Sequence, residues 1–128
     1  MLRDGNFNRI IICCGRTDLR RGASGLAAYV EVNYGLNAFE KGTLFLFCGR
    51  RSSVIKGICF EGIGMATYTL RLAKGNSFQW PRTTEEARAV TAEQYLRLMQ
   101  GFSMEGTIRE VYPKKGGTTD APSRQRVT

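Results

Sequence analysis

The chain has 128 residues, room for one domain with a hydrophobic core and short for two. Nineteen Lys and Arg stand against eleven Asp and Glu, a net charge of +8, and histidine is absent; acid–base catalysis by histidine is excluded, and a zinc site would need four thiolates. No run approaches the roughly 20 apolar residues of a membrane-spanning helix.

Arg9–Cys14 (RIIICC) predicts a first buried strand, closed by Gly15. The apolar stretch Ile10–Cys14 is too short for a secretory signal, so a cytoplasmic protein is expected. Thr17 and Asp18 are placed to cap the next helix through a side-chain oxygen. Between about Arg21 and Tyr34, residues Leu26, Tyr29, Val30 and Tyr34 keep a helical spacing, and Gly35 suits the left-handed residue that ends such a helix.

Thr43–Arg51 (TLFLFCGRR) is the most informative stretch. The unbroken apolar run Leu44–Cys48 predicts a strand buried on both faces. Gly49 is read as an exit with positive φ, after which Arg50 and Arg51 emerge side by side at the end of a rigid element. Val54–Glu61 predicts the partner strand of a hairpin, and Met65–Leu72 a half-exposed strand. Lys74-Gly75-Asn76-Ser77 reads as a turn and Phe78–Trp80 as a short returning strand, stopped by Pro81.

Thr83 and Thr84 followed by Glu86 resemble a capping box, predicting a short helix through Val90. Thr91 with Gln94 repeats the signature before a second helix ending near Gln100, with Gly101 as its cap and Tyr95, Leu98, Met99 and Phe102 on its apolar face. After Ser103 the chain turns polar and glycine-rich, so residues 1–102 are expected to form the domain and 103–128 a disordered basic tail. The expected fold is α+β: a single domain with a mainly antiparallel sheet, one helix after the first strand and a C-terminal helical pair.

Cys13, Cys14, Cys48 and Cys59 all sit in apolar runs and are expected to be reduced core thiols, with adjacent Cys13 and Cys14 on opposite faces of their strand. Neither a metal nor another cofactor is expected. The positive charge is uneven: residues 1–82 hold twelve basic and five acidic residues, a net +7, while residues 83–102 carry a net −1. Fourteen of the nineteen cations are arginine, whose planar fork of donors matches phosphate. Arg16, Arg20, Arg21, Arg50, Arg51, Arg71 and Arg82 fall at inferred element ends or on an exposed strand face, which makes them candidate DNA-binding residues. Trp80 joins them as a possible stacking platform for a base, although a core anchor accounts for it as well. Lys114, Lys115, Arg124 and Arg126 form a thin basic tail. Asp18 and Glu61 are the only acids near strand ends in the basic region, and a nuclease metal site would need both and a further ligand.

Four segments in order, GRTDLRRGASGLAAYV, TLFLFCGRR, FEGIGMATYTLRLAKGNSFQWPR and EEARAVTAEQYLRLMQG, resemble the small accessory protein (Orf2 or TnpB type) of the IS66 family of bacterial insertion sequences. TDLR at 17–20, LFLFCGRR at 44–51 and FQWPR at 78–82 are the most specific pieces, and the resemblance covers about residues 3–102. It implies a non-catalytic partner in transposition, encoded beside a larger transposase that carries the catalytic acids. The expected partners are therefore DNA, at transposon ends, and the transposase with other element-encoded proteins. A membrane or small-molecule partner is not expected. The alternative is a protein-docking module whose arginines meet acidic side chains on the transposase without touching DNA.

Overall fold

The computed structural model describes residues 7–73, 77–82, 85–100 and 110–115. Strand β1 (Arg9–Cys13) leads through helix α1 (Ala23–Tyr34) to β2 (Thr43–Cys48), followed by β3 (Val54–Phe60), β4 (Met65–Arg71), β5 (Glu86–Val90), helix α2 (Ala92–Met99) and β6 (Glu110–Pro113). The strands make one six-stranded sheet in the order β4-β3-β2-β1-β5-β6. Only β1 and β2 run parallel; the other four pairings are antiparallel. The parallel pair follows from α1, because a helical crossover returns the chain to its starting edge.

All six residues of β2 are buried, as its unbroken apolar run implies. Leu44, Leu46 and Cys48 face one layer, where they meet Phe78, Trp80 and the Tyr95 and Leu98 side chains of α2. Phe45 and Phe47 face the other, against Leu26, Ala27, Val30 and Tyr34 of α1. Cys13 and Cys14 divide between these two clusters, and all four cysteines are buried and free. Burial pushes the Cys14 thiol up to about 12 and raises those of Cys13, Cys48 and Cys59 as well. Helix α1 ends at Gly35, whose φ of 69° lies in the left-handed region and whose N–H reaches the Glu31 carbonyl. Helix α2 begins with the expected capping box: Gln94 N–H donates to Thr91 Oγ1 at 3.1 Å, and Thr91 N–H to Gln94 Oε1 at 2.9 Å.

Several expectations are corrected. The segment through Val90 is strand β5, so no helical pair forms: Ile10, Ile11, Ile12 and Cys13 of β1 pair with Val90, Ala89, Arg88 and Ala87, and this long-range ladder overrides the local helical signature. Residues 110–113, assigned to a disordered tail, pair with β5 as the sixth strand, and Lys115 N–H donates to the Asn33 carbonyl at the end of α1. Phe78–Trp80 is irregular chain rather than strand, held by a bond from Phe78 N–H to the Ser52 carbonyl. Neither Thr17 nor Asp18 caps α1, whose N-cap is Gly22 without a side-chain partner. The turn at Lys74-Gly75-Asn76, the Thr83/Thr84 box, Gly101, Phe102, Arg124 and Arg126 lie outside the described residues.

Candidate nucleic-acid interface

Both strands of the parallel pair end at the same edge of the sheet. The loop after β1 and the loop after β2 therefore emerge side by side. Thr17 N–H donates to the Cys48 carbonyl at 2.9 Å, joining the first loop to the end of β2. Gly49 does not have positive φ; its role is close approach, since a Cβ there would stand 3.1 Å from Leu19 Cδ1. On the α1 side of β3 and β4 the apolar surface gives way to Lys56, Thr69 and Arg71. Lys56 sits opposite Thr69, and Arg71 opposite Val54.

These loops and strand faces border an open cavity of about 780 Å³ lined by Arg16, Thr17, Asp18, Leu19, Arg20, Gly49, Arg50, Arg51, Val54, Lys56, Thr69 and Arg71. Five of the eight candidate residues meet here: Arg16, Arg20, Arg50, Arg51 and Arg71. Among the described residues Asp18 is the one acid in the lining, and it is engaged: Arg20 Nε lies 3.0 Å from Oδ1 and Arg20 Nη2 3.0 Å from Oδ2. The Arg20 guanidinium, helped by the Arg20 backbone N–H, holds the Asp18 carboxyl down at about 2. Arg16, Arg50, Arg51, Lys56 and Arg71 have no ion-pair partner among the described residues. Five uncompensated cations around one concavity produce a focused positive field.

Three candidates lie elsewhere. Trp80 is 7% exposed, and its Nε1–H donates to the Cys13 carbonyl at 3.1 Å; its ring is committed to the core, so stacking on a base is ruled out. Arg82 is turned inward. Its guanidinium reaches Gly15 O at 3.4 Å, Gly49 O at 2.7 Å and Ser52 Oγ at 3.1 Å, which makes it the fastening between the two cation-bearing loops rather than a contact surface. Arg21 lies over the Tyr29 ring, 5.2 Å from its centroid, outside the cavity lining. Lys56 was the cation that sequence reasoning missed. The available signal was a lone lysine inside an apolar strand, which needs an unfilled space to extend into.

The acids required by a nuclease are far apart. Asp18 lines the cavity beside Val54, whereas Glu61 follows the opposite end of β3, roughly 20 Å along the strand. Glu61 there accepts from Tyr68 OH at 3.3 Å. The two carboxylates cannot share a metal ion.

The family described as IS66 Orf2 like protein matches residues 8–109 of this chain. An uncharacterised protein of Sinorhizobium fredii, y4hO, is 35% identical over 117 residues, which cover 91% of this chain and all of that protein. No solved structure matches this chain. Among the described residues, no helix is long and apolar enough to cross a membrane.

Proposed function

This chain belongs to the IS66 Orf2-like family, and we propose from that premise that it is a non-catalytic accessory protein of transposition that grips DNA backbone through its cation-lined cavity and helps assemble the transposase complex at transposon ends. The observation that carries this is the convergence of Arg16, Arg50, Arg51, Lys56 and Arg71, all without ion-pair partners among the described residues, on one concavity. Arginine forks and a lysine ammonium at such a site neutralise phosphate without reading bases, so they position the protein on DNA independently of sequence. The separation of Asp18 from Glu61 supports a non-catalytic role.

Gel-shift titrations of transposon-end and random duplexes over a salt series test the proposal. Five phosphate contacts give a slope of log K against log[salt] of about −4.5, similar for both duplexes. Absence of binding at low salt overturns it. In that event, nuclease-resistant capture of purified transposase would assign the same cations to acidic side chains of that partner.

A further inference from the structure

The two edges of the sheet are built differently. At one, β6 is four residues long and ends at Pro113. Shortness and proline both keep a sheet edge from pairing with another chain. At the other edge, β4 runs for seven residues, contains no proline, and pairs one-for-one with β3 from Met65 to Arg71 without a bulge. Its single charged residue, Arg71, stands at the last position.

The hydrogen bonds at the ends of β4 fix which backbone groups face outward. Leu72 N–H donates to the Ser53 carbonyl at 2.8 Å, and Glu61 N–H donates to the Gly64 carbonyl at 2.8 Å. Even-numbered residues of β4 therefore aim their backbone groups at β3, and Met65, Thr67, Thr69 and Arg71 aim theirs at the open edge. No strand lies beside those groups among the described residues.

The edge is also complementary to itself. An antiparallel copy centred on Tyr68 engages all seven residues and matches outward groups with outward groups. Thr67 of one copy lies opposite Thr69 of the other, Ala66 opposite Leu70, and Tyr68 opposite Tyr68; threonine and aromatic pairs of this kind stabilise a ladder. Arg71 lies opposite Met65, so the two Arg71 residues stand roughly 20 Å apart along the strands and avoid like-charge contact. The fully exposed Ile63, in the turn before β4, comes beside Leu72 and Ala73 of the other copy.

We propose that β4 is the interface of a two-fold dimer of this chain, in which two sheets join edge to edge into one. Both outer edges of the joined sheet are then β6, and their short, proline-ended strands stop growth at two copies. Directly opposed side chains share a face of a sheet, so both α1 layers and both cation cavities come to the same side. The inference stands independently of the DNA-binding reading.

Sedimentation of the nuclease-treated full chain tests it, in a dilution series reaching about 100 μM. The expected mass is that of two chains, and Thr67→Pro should return it to one, because proline removes an outward N–H while leaving the β3 ladder intact. Cysteine crosslinking tests the register. Tyr68→Cys should form an oxidised dimer, since directly opposed residues at that position have Cα atoms about 4.5 Å apart. Thr67→Cys should not, since the two equivalent positions are diagonal neighbours, about 7–8 Å apart. The native cysteines are buried and stay out of the reaction. If Thr67→Pro does not fold, the crosslinking pair decides. A single-chain mass throughout the series overturns the dimer and leaves the DNA-binding reading standing. A dimer that persists in folded Thr67→Pro overturns the assignment of β4. Crosslinking of Thr67→Cys but not Tyr68→Cys overturns the register.

Discussion

Arginine meets two different fates in this molecule. At the carboxyl ends of β1 and β2, Arg16, Arg50, Arg51 and Arg71 project around a cavity without acidic partners among the described residues. On β1, β5 and the end of β6, three cations are matched. Arg88 pairs with Glu86, Lys114 Nζ lies 3.1 Å from Glu85 Oε1, and Arg9 Nη1 lies 3.5 Å from Glu40 Oε1. A net charge of +8 therefore does not describe a uniformly sticky surface. Where acids lie within reach, basic side chains are absorbed into the structure; where they do not, the same residue type remains available to a ligand.

The contrast can be broken most severely from beneath. Arg82→Met removes the fastening between the Gly15 and Gly49 carbonyls and leaves buried acceptors unpaired. It should lower stability by about 2 kcal/mol in urea unfolding and weaken DNA binding, although Arg82 does not line the cavity. Arg82→Lys should restore little, because a lysine lacks the planar fork that spans both loops.

Removing the unpaired cations themselves gives the next effect. The double substitution Arg50→Ala and Arg51→Ala should reduce the salt slope by about two, weaken binding equally to all sequences and leave the melting temperature nearly unchanged. An unchanged slope would exclude the pair from the interface. The matched region supplies the control: Arg88→Gln, which leaves the largely buried Glu86 carboxylate without its partner, should cost about 1–3 kcal/mol of stability and leave DNA affinity as it was. Loss of DNA affinity in Arg88→Gln would erase the distinction between the two regions.

The smallest effect concerns pH. With no histidine in the chain and Asp18 held at about 2, neither group type titrates between pH 5 and about pH 8, and affinity for a duplex without terminal phosphates should be flat over that interval. Because the folded carboxyl titrates below its ordinary value, the unfolded chain binds more protons as acid is added. The contribution of Asp18 to stability is thus present above about pH 4 and is lost as the pH falls through about 2, when Arg20 is also released. A titration of affinity across pH 5–8 that shows a clear inflection would point to a group outside this description.

Much of this arrangement was legible in the residues. The apolar run of β2, the Gly35 stop and the Thr91–Gln94 box each specify local structure by themselves, and the structure follows them. The clustering of arginines at element ends anticipated five of the cavity's cations. What was not legible depended on distant pairing. Glu86–Val90 has a helical start signal and two alanines, and its ladders with β1 and β6 make it a strand. Residues 110–113 acquire order through pairing with β5 and through contacts with β1 and α1, all distant in sequence. The inward turn of Arg82 was equally hidden, because it depends on two carbonyls 67 and 33 residues away.

That inward-turned guanidinium has a kinetic corollary. The backbone at Gly15 and Gly49 is held in register before any ligand arrives. Capture then freezes side-chain rotamers only, and the loss of loop entropy that usually burdens association is largely avoided. Encounter should accordingly proceed at a rate set by diffusion and ionic attraction, with no slow rearrangement, and ligands should differ mainly in residence time.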